Sequence, residues 1–317
     1  MPPRRPAARR ARPWRAFAWL SLLVVLTAGG WYLVQTPARQ ARLRAGWASY
    51  LGTPQATGRI EAVRDNWNGE SAASVVAVDR PDSGAPSPVF AGRPRSTTFA
   101  SAVRVLENTG YVVGYSDALE CPVWVAYRMW DLGRPLVAPP RPGSFAVDRR
   151  TEARVRPDEY TGSGYDRGHM APNYAIGTHF GAAAQLETFL MSNVIPQKHS
   201  LNAGLWKELE RRAATSYPTR FREIWVVVGP VFGERPARLR GGVAVPEACW
   251  MVLLDEDGGG VRALAFWFPQ DTPAHAPLEH YLTNIDRIEA AIGFDLFPEL
   301  PDPAEAVLEA QTAPRAW

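Results

Sequence analysis

Cysteine is nearly absent: the 317 residues hold two, Cys121 and Cys249. Two are too few for a disulfide framework, and this pair lies too far apart for a zinc-knuckle pattern. They are either two buried thiols on strands or, in an oxidising compartment, a single bridge. Lysine, aspartate and glutamate are missing from residues 1–50, which nevertheless contain nine Arg. With those nine set aside, 26 Lys and Arg face 32 Asp and Glu, so the remainder carries −6 although the whole chain is +3. A protein that coats nucleic acid stoichiometrically needs a basic domain, because phosphate neutralisation supplies most non-specific affinity. An acidic domain must gather its positive charge at one place, which suits turnover better than packaging.

Other signatures are missing too. There is no internal repeat, no Walker loop and no Gly-x-Ser-x-Gly elbow. Gly162 to Gly168 imitates a dinucleotide-binding loop, but its third glycine falls one position late and no βαβ pattern surrounds it. His179, His199, His275 and His280 show no zinc-ligand spacing and read as surface or packing residues. Disorder throughout is excluded by a 46% apolar composition.

What is present begins with Ala16–Val34, nineteen residues without a charge, preceded by six Arg and followed by Arg39, Arg42 and Arg44. Nineteen residues suffice to span a bilayer as a helix, and the Arg bias puts the N-terminus in the cytoplasm. The rival reading is a cleaved signal peptide with Thr27-Ala28-Gly29 as its cleavage site. The expected organisation is a basic cytoplasmic segment (1–15), a transmembrane anchor or signal segment (16–34), a juxtamembrane segment and linker (35–98), a folded domain (99–300) and a C-terminal tail (301–317). Thr36 to Leu51 reads as a short polar helix, and the Gly, Pro and Ser-rich stretch after it as a tether.

Strand-like runs dominate the domain: Tyr111–Tyr115, Val123–Arg128, Ile224–Val228, Cys249–Leu254 and Val261–Phe268, the last two flanking a hairpin signal at Asp255–Gly260. Helical spacing appears over Leu201–Ala213 and Leu278–Ile292, with Gly293 as a stop. Strands in runs with helices inserted between them predict an α+β fold.

The densest chemistry is Gly164-Tyr165-Asp166-Arg167-Gly168-His169-Met170-Ala171-Pro172-Asn173, followed by Ser192-Asn193-Val194-Ile195-Pro196-Gln197 and then Leu201-Asn202-Ala203-Gly204-Leu205-Trp206-Lys207-Glu208-Leu209-Glu210. Hydrolysis of a phosphodiester requires a base for the attacking water, a cation on the phosphoryl oxygens and relief for the leaving oxygen. Imidazole is the side chain suited to act as that base near neutrality. From roughly Val103 to Pro298 the chain resembles the DNA/RNA non-specific endonucleases, and these three motifs carry the resemblance.

The resemblance implies a ββα-metal (His-Me finger) site on a central, mostly antiparallel sheet flanked by helices, here preceded by the N-terminal transmembrane helix. It implies that His169 is the general base and Asn202 the single direct protein ligand of Mg²⁺, with Mn²⁺ or another divalent cation able to replace it. A helix cap is the other reading of Asn202. Glu210 matches the family's helix glutamate. Eight residues along a straight helix rise about 12 Å, so Glu210 is expected to act on metal-bound water and not on the metal. Asp166 would hold that water or orient its neighbours. Asn193 would orient the histidine or the phosphate, or merely form a turn. Arg141, upstream of Phe145 and Asp148, would clamp the scissile phosphate. Arg167 would bind phosphate or pair with a carboxylate of the finger. Many members place a second arginine four residues after the helix glutamate, where this chain has Ala214; Arg211 and Arg212 are the candidate substitutes.

The function so implied is metal-dependent cleavage of DNA and RNA with weak sequence preference, by a domain facing the periplasm or exterior from the bacterial inner membrane, or secreted if the leader is cleaved. Two rivals remain: a catalytically weak, membrane-anchored nucleic-acid-binding protein of the same fold, and a phosphodiesterase for small or lipid-linked phosphodiesters.

Overall fold

The long runs of β-branched and aromatic residues assemble into one sheet. A computed structural model describes residues 76–77, 87–97, 103–134, 136–257 and 260–317; all fall within one compact unit, Asp65–Trp317. The apolar run at 16–34, the polar helix expected at 36–51 and the basic segment before them lie outside the described residues. Among the described residues no helix is long and apolar enough to cross a membrane.

The strands are β1 (Val76–Ala77), β2 (Arg95–Ser96), β3 (Arg104–Asn108), β4 (Tyr111–Ser116), β5 (Cys121–Trp130), β6 (Asp166–His169), β7 (Val194–Gln197), β8 (Glu223–Val231), β9 (Ala248–Asp257), β10 (Gly260–Pro269), β11 (Leu282–Thr283) and β12 (Phe294–Asp295). The main sheet runs β1-β10-β9-β8-β5-β4-β3, with β11 on β10, and every pairing is antiparallel. All five strand-like runs of the sequence are strands here, and β9 and β10 form the expected hairpin with Gly260 opposite Asp257.

Because side chains alternate across a strand, the sheet feeds two separate cores. Cys249, Met251 and Leu253 of β9 join one core with Met170, Leu201, Trp206 and Leu209. Trp250, Val252 and Leu254 join the other with Phe90, Ile285, Ile288, Phe297 and Leu308. Both faces are covered, which is why these strands read as nearly continuous apolar runs.

The helices are α1 (Asn173–Phe180), α2 (Ala182–Glu187), α3 (His199–Asn202), α4 (Leu205–Ala214), α5 (Ser216–Phe221), α6 (Ile285–Ile292) and α7 (Asp302–Glu309). The helix expected over Leu201–Ala213 is broken in two at Gly204. A β-carbon there would meet the Ser200 carbonyl at 2.3 Å and the Ala274 α-carbon at 2.6 Å, so only glycine admits the approach of these backbones. The segment Leu278–Ile292 also divides: a 3₁₀ turn at Leu278–Tyr281 leads into β11, and Asn284 then caps α6 by accepting from the Arg287 N–H at 3.0 Å. Gly293 ends it in the left-handed conformation, φ 69°.

The segments flanking the domain have structure of their own. Phe90, within the stretch read as linker, is fully buried, and β2 pairs with β12. In the stretch read as a tail, α7 buries Ala304 and Leu308, and Trp317 packs against Tyr217 and Phe221.

Candidate active site

On the first core's side, β6 and β7 pair apart from the main sheet, with Asp166 opposite Gln197 and His169 opposite Val194. With α3 and α4 following β7, this is a ββα arrangement. Gly168 permits it: a β-carbon there would lie 2.1 Å from Gln197 Oε1 and 2.9 Å from its Cβ. Gln197 is fully buried, so it cannot swing aside.

His169 lies between two rings, 5.1 Å from Phe145 and 4.9 Å from Phe189 between centroids. The backbone holds those rings there, with Ala146 N–H donating to Phe189 O and Met191 N–H to Ala146 O, both at 2.9 Å. Ser192 Oγ ties the same two segments by donating to buried Asp148 at 2.6 Å. The imidazole is 8% exposed, and its Nε2 has no hydrogen-bond partner among the described residues. Burial, aided by the positive charge of Arg141, lowers its pKa from 6.5 to about 3, so the ring is neutral at pH 7.

Asp166 orients the residues opposite. Its Oδ2 accepts from Asn202 Nδ2 at 2.9 Å and from His199 Nδ1 at 2.8 Å. Fixing the Asn202 amide in this sense leaves its carbonyl oxygen without a donor among the described residues. Glu210 accepts from Trp206 Nε1 at 2.9 Å, and burial raises its pKa to about 8 against the opposing effects of that bond and of Lys207.

These groups share a cavity of about 630 Å³ lined by Arg141, Arg167, His169, Pro172, Asn173, Tyr174, Ala175, Asn202, Ala203, Lys207, Glu210, Arg211, Ala214 and Thr215. A second hollow, about 440 Å³, shares Arg141, Arg167 and Asn202 with it and adds Asp166 and Tyr165. Four cations therefore converge on one site of an acidic domain. The amide oxygen of Asn202 and the carboxylate of Glu210 are hard oxygen donors of the kind Mg²⁺ takes, and that ion is commonly held by only one or two protein groups. The donor set fits a divalent cation.

The other expected residues differ in where they lie. Asn193 does not face the cavity. It is fully buried, its Oδ1 accepting from Ala171 N–H at 2.8 Å and its Nδ2 donating to the carbonyls of Ala171 and Thr188, each at 3.0 Å. It pins the chain two residues beyond His169 and cannot also reach a phosphate. Arg167 pairs with no carboxylate among the described residues; its Nε and Nη2 donate to the Pro157 carbonyl at 3.0 and 2.8 Å, and its guanidinium lies 5.5 Å from the Phe145 ring. Arg141 is exposed, 4.9 Å from the Phe189 ring that also touches His169. The helix is not straight between Asn202 and Glu210, because it breaks at Gly204; the two residues line one cavity from two helices. Beside Ala214, Arg211 and Arg212 both bond Glu208, at 3.0 and 2.9 Å, and of the two it is Arg211 that lines the cavity.

Sequence reasoning passed over His199, taken as a surface or packing residue although it bonds Asp166, and over Lys207 and Tyr174. Tyr174 directly follows Pro172-Asn173 and is 38% exposed in the cavity wall; an aromatic left open beside a charged cluster was the available signal. His179 does pack, its ring lying 4.9 Å from that of Trp130. Both cysteines are buried and unpaired.

Comparison with known proteins bears on the family and the fold. The family model for DNA/RNA non-specific endonucleases matches residues 94–303. A nuclease of Nostoc sp. is 30% identical over 218 residues, covering 63% of this chain and 76% of that protein. Mitochondrial endonuclease G of Bos taurus is 28% identical over 232 residues, 68% of this chain and 77% of its own length. Among solved structures, one of an EndoG/EndoGI complex superposes with a TM-score of 0.56 at 21% identity, covering 65% of this chain and 90% of that one.

Proposed function

The chain belongs to the DNA/RNA non-specific endonuclease family, and from that premise we propose that it hydrolyses phosphodiester bonds of DNA and RNA with little sequence preference, His169 acting as general base beside a divalent cation on Asn202. The observation that carries this reading is the buried, neutral His169 Nε2, without a partner among the described residues, in the wall of a cavity that also holds Asn202, Glu210 and four cationic side chains. An imidazole with a free nitrogen accepts a proton from water. A phosphate brought beside it favours the imidazolium and raises its pKa back toward the ordinary value.

Arg141 and Arg167 face both hollows and bind the phosphate, while Arg211 and Lys207 extend the positive surface along the strand. Arg211 occupies the role for which other members use an arginine at the position of Ala214. Asp166 acts as a positioning residue: by accepting from Asn202 it presents the amide oxygen to Mg²⁺ or a similar ion. That ion, when bound, supplies charge neutralisation at the phosphoryl and leaving oxygens. Glu210 offers a second carboxylate to order water in the cavity. The site's polar groups suit phosphate more than base edges, which supports weak sequence preference and attack on either sugar. We extend the proposal to anchoring through the apolar run at 16–34, with the domain outside the cytoplasm; the Arg bias around that run supports it.

The test is incubation of the full chain with supercoiled plasmid and with structured RNA, in Mg²⁺ and in EDTA, beside His169→Ala. Cleavage of both substrates in Mg²⁺ alone, reduced by about 10² to 10⁴ in the variant, is the expected result. Intact substrates with a folded wild-type protein across several divalent metals would overturn it in favour of a binding protein.

A further inference from the structure

Far along the chain from the catalytic motifs, three carboxylates converge. Asp286 and Glu289 stand on α6 and Glu309 at the end of α7, and one oxygen of each lies within 4.8 Å of the others. Ligands of one calcium-sized ion sit about 2.3–2.6 Å from it, so oxygens on opposite sides of such an ion are separated by about this distance. Three surface acids would prove nothing, but Glu309 is not on the surface. It is 6% exposed, and its Oε1 is buried without a hydrogen-bond partner among the described residues. The charged groups that act on it most strongly are acidic: Glu289, Glu305, Asp286 and Asp295. Arg287, the cation in this stretch of α6, lies over the Trp267 ring, 4.9 Å from its centroid. A buried carboxylate crowded by like charge is costly unless something positive joins it.

The cage is held by other bonds. Glu289 Oε1 accepts from the Leu296 N–H at 2.6 Å. Asn284, the cap of α6, also donates from Nδ2 to the Ala310 carbonyl at 3.4 Å, linking the start of α6 to the end of α7. The apolar residues beneath, Ile285, Ile288, Ala304 and Leu308, belong to the second core, across the sheet from His169 and Asn202. Glu309 lies beyond residue 303, where the family match ends.

We propose that Asp286, Glu289 and Glu309 hold a hard divalent cation of calcium's kind, which fastens α7 onto α6 and is separate from the catalytic metal. Oxygen-only ligands of this charge suit calcium or a similar ion and not a soft metal.

Thermal unfolding of the full chain in EDTA, in CaCl₂ and in MgCl₂ tests this, with calcium as the probe. Calcium is expected to raise the melting temperature by several degrees, equally in wild type and in Asn202→Ala, which separates this site from the catalytic one. Glu309→Gln removes a carboxylate ligand; it is expected to ignore calcium and to cleave plasmid in Mg²⁺ as wild type does. Asp286→Asn, at an exposed position, should lose the calcium response with little change in EDTA. No calcium response in wild type or in Asn202→Ala overturns the proposal, as does a wild-type response in both Glu309→Gln and Asp286→Asn.

Discussion

Replacing Asn193 with alanine should damage the fold first and the chemistry only through it. The amide makes three hydrogen bonds, all to backbone groups of Ala171 and Thr188, in a fully buried position. Truncation leaves one N–H and two carbonyls without partners, each orphaned group costing about 1–3 kcal/mol. Partial relaxation keeps the total near the low end, about 3–6 kcal/mol, against a typical domain stability of about 5–15 kcal/mol. For a domain of this size each kcal/mol moves the melting temperature by roughly 2–4 °C, so a fall of at least about 6 °C is expected. Asn193→Asp should do no better, because a carboxylate can accept from Ala171 N–H but cannot donate to two carbonyls. The assay is thermal unfolding followed by circular dichroism, paired with plasmid cleavage well below the variant's transition. Cleavage should fall mainly in kcat, since Ala171 lies two residues from His169 and both cavities keep their cationic lining. An unchanged melting temperature together with lost cleavage would return Asn193 to the reacting groups.

Gly168→Ala forces a methyl against buried Gln197; overpacking of this kind costs about 1–3 kcal/mol, and we expect a lower denaturation midpoint and weaker Mg²⁺-dependent cleavage as β6 and β7 part. His169 makes stability pH-dependent. Its folded pKa, about 3, lies below the ordinary 6.5, so between these values the unfolded chain takes a proton that the folded one refuses; this stability is present above 6.5 and is lost as pH falls toward 3. Relative to His169→Gln, the wild type should lose about 2 kcal/mol between pH 7 and pH 5, read from denaturant unfolding at the two values; parallel pH profiles would count against a buried neutral imidazole. Arg211→Ala should lower cleavage several-fold and flatten its salt dependence, whereas Arg212→Ala should alter cleavage little; equal losses would remove the distinction drawn beside Ala214.

Local pattern recorded much of this protein. The β-branched and aromatic runs Val123–Arg128 and Cys249–Leu254 identified central strands because burial on both faces is written into neighbouring residues. The Asp166–His169 motif and its spacing to Asn202 and Glu210 brought the family and the cavity's main residues into view. Gly293 showed as a stop because a left-handed residue ends a helix by local geometry alone. The partners chosen across the chain were not legible there. That Asn193 spends its amide on Ala171, that Asp166 holds Asn202, and that Phe145 and Phe189 desolvate His169 depend on segments brought together by the sheet. Gly204 breaks a periodic helix because Ala274, seventy residues later, crosses it. The charge of Glu309 matters only because α7 folds back onto α6. Sequence alone marked the central strands, the stop at Gly293 and the chemistry of the motifs, since backbone preference and amphipathic period are local. The tertiary structure alone decided which polar atoms are satisfied and which are left free, since that depends on packing between residues distant in the chain.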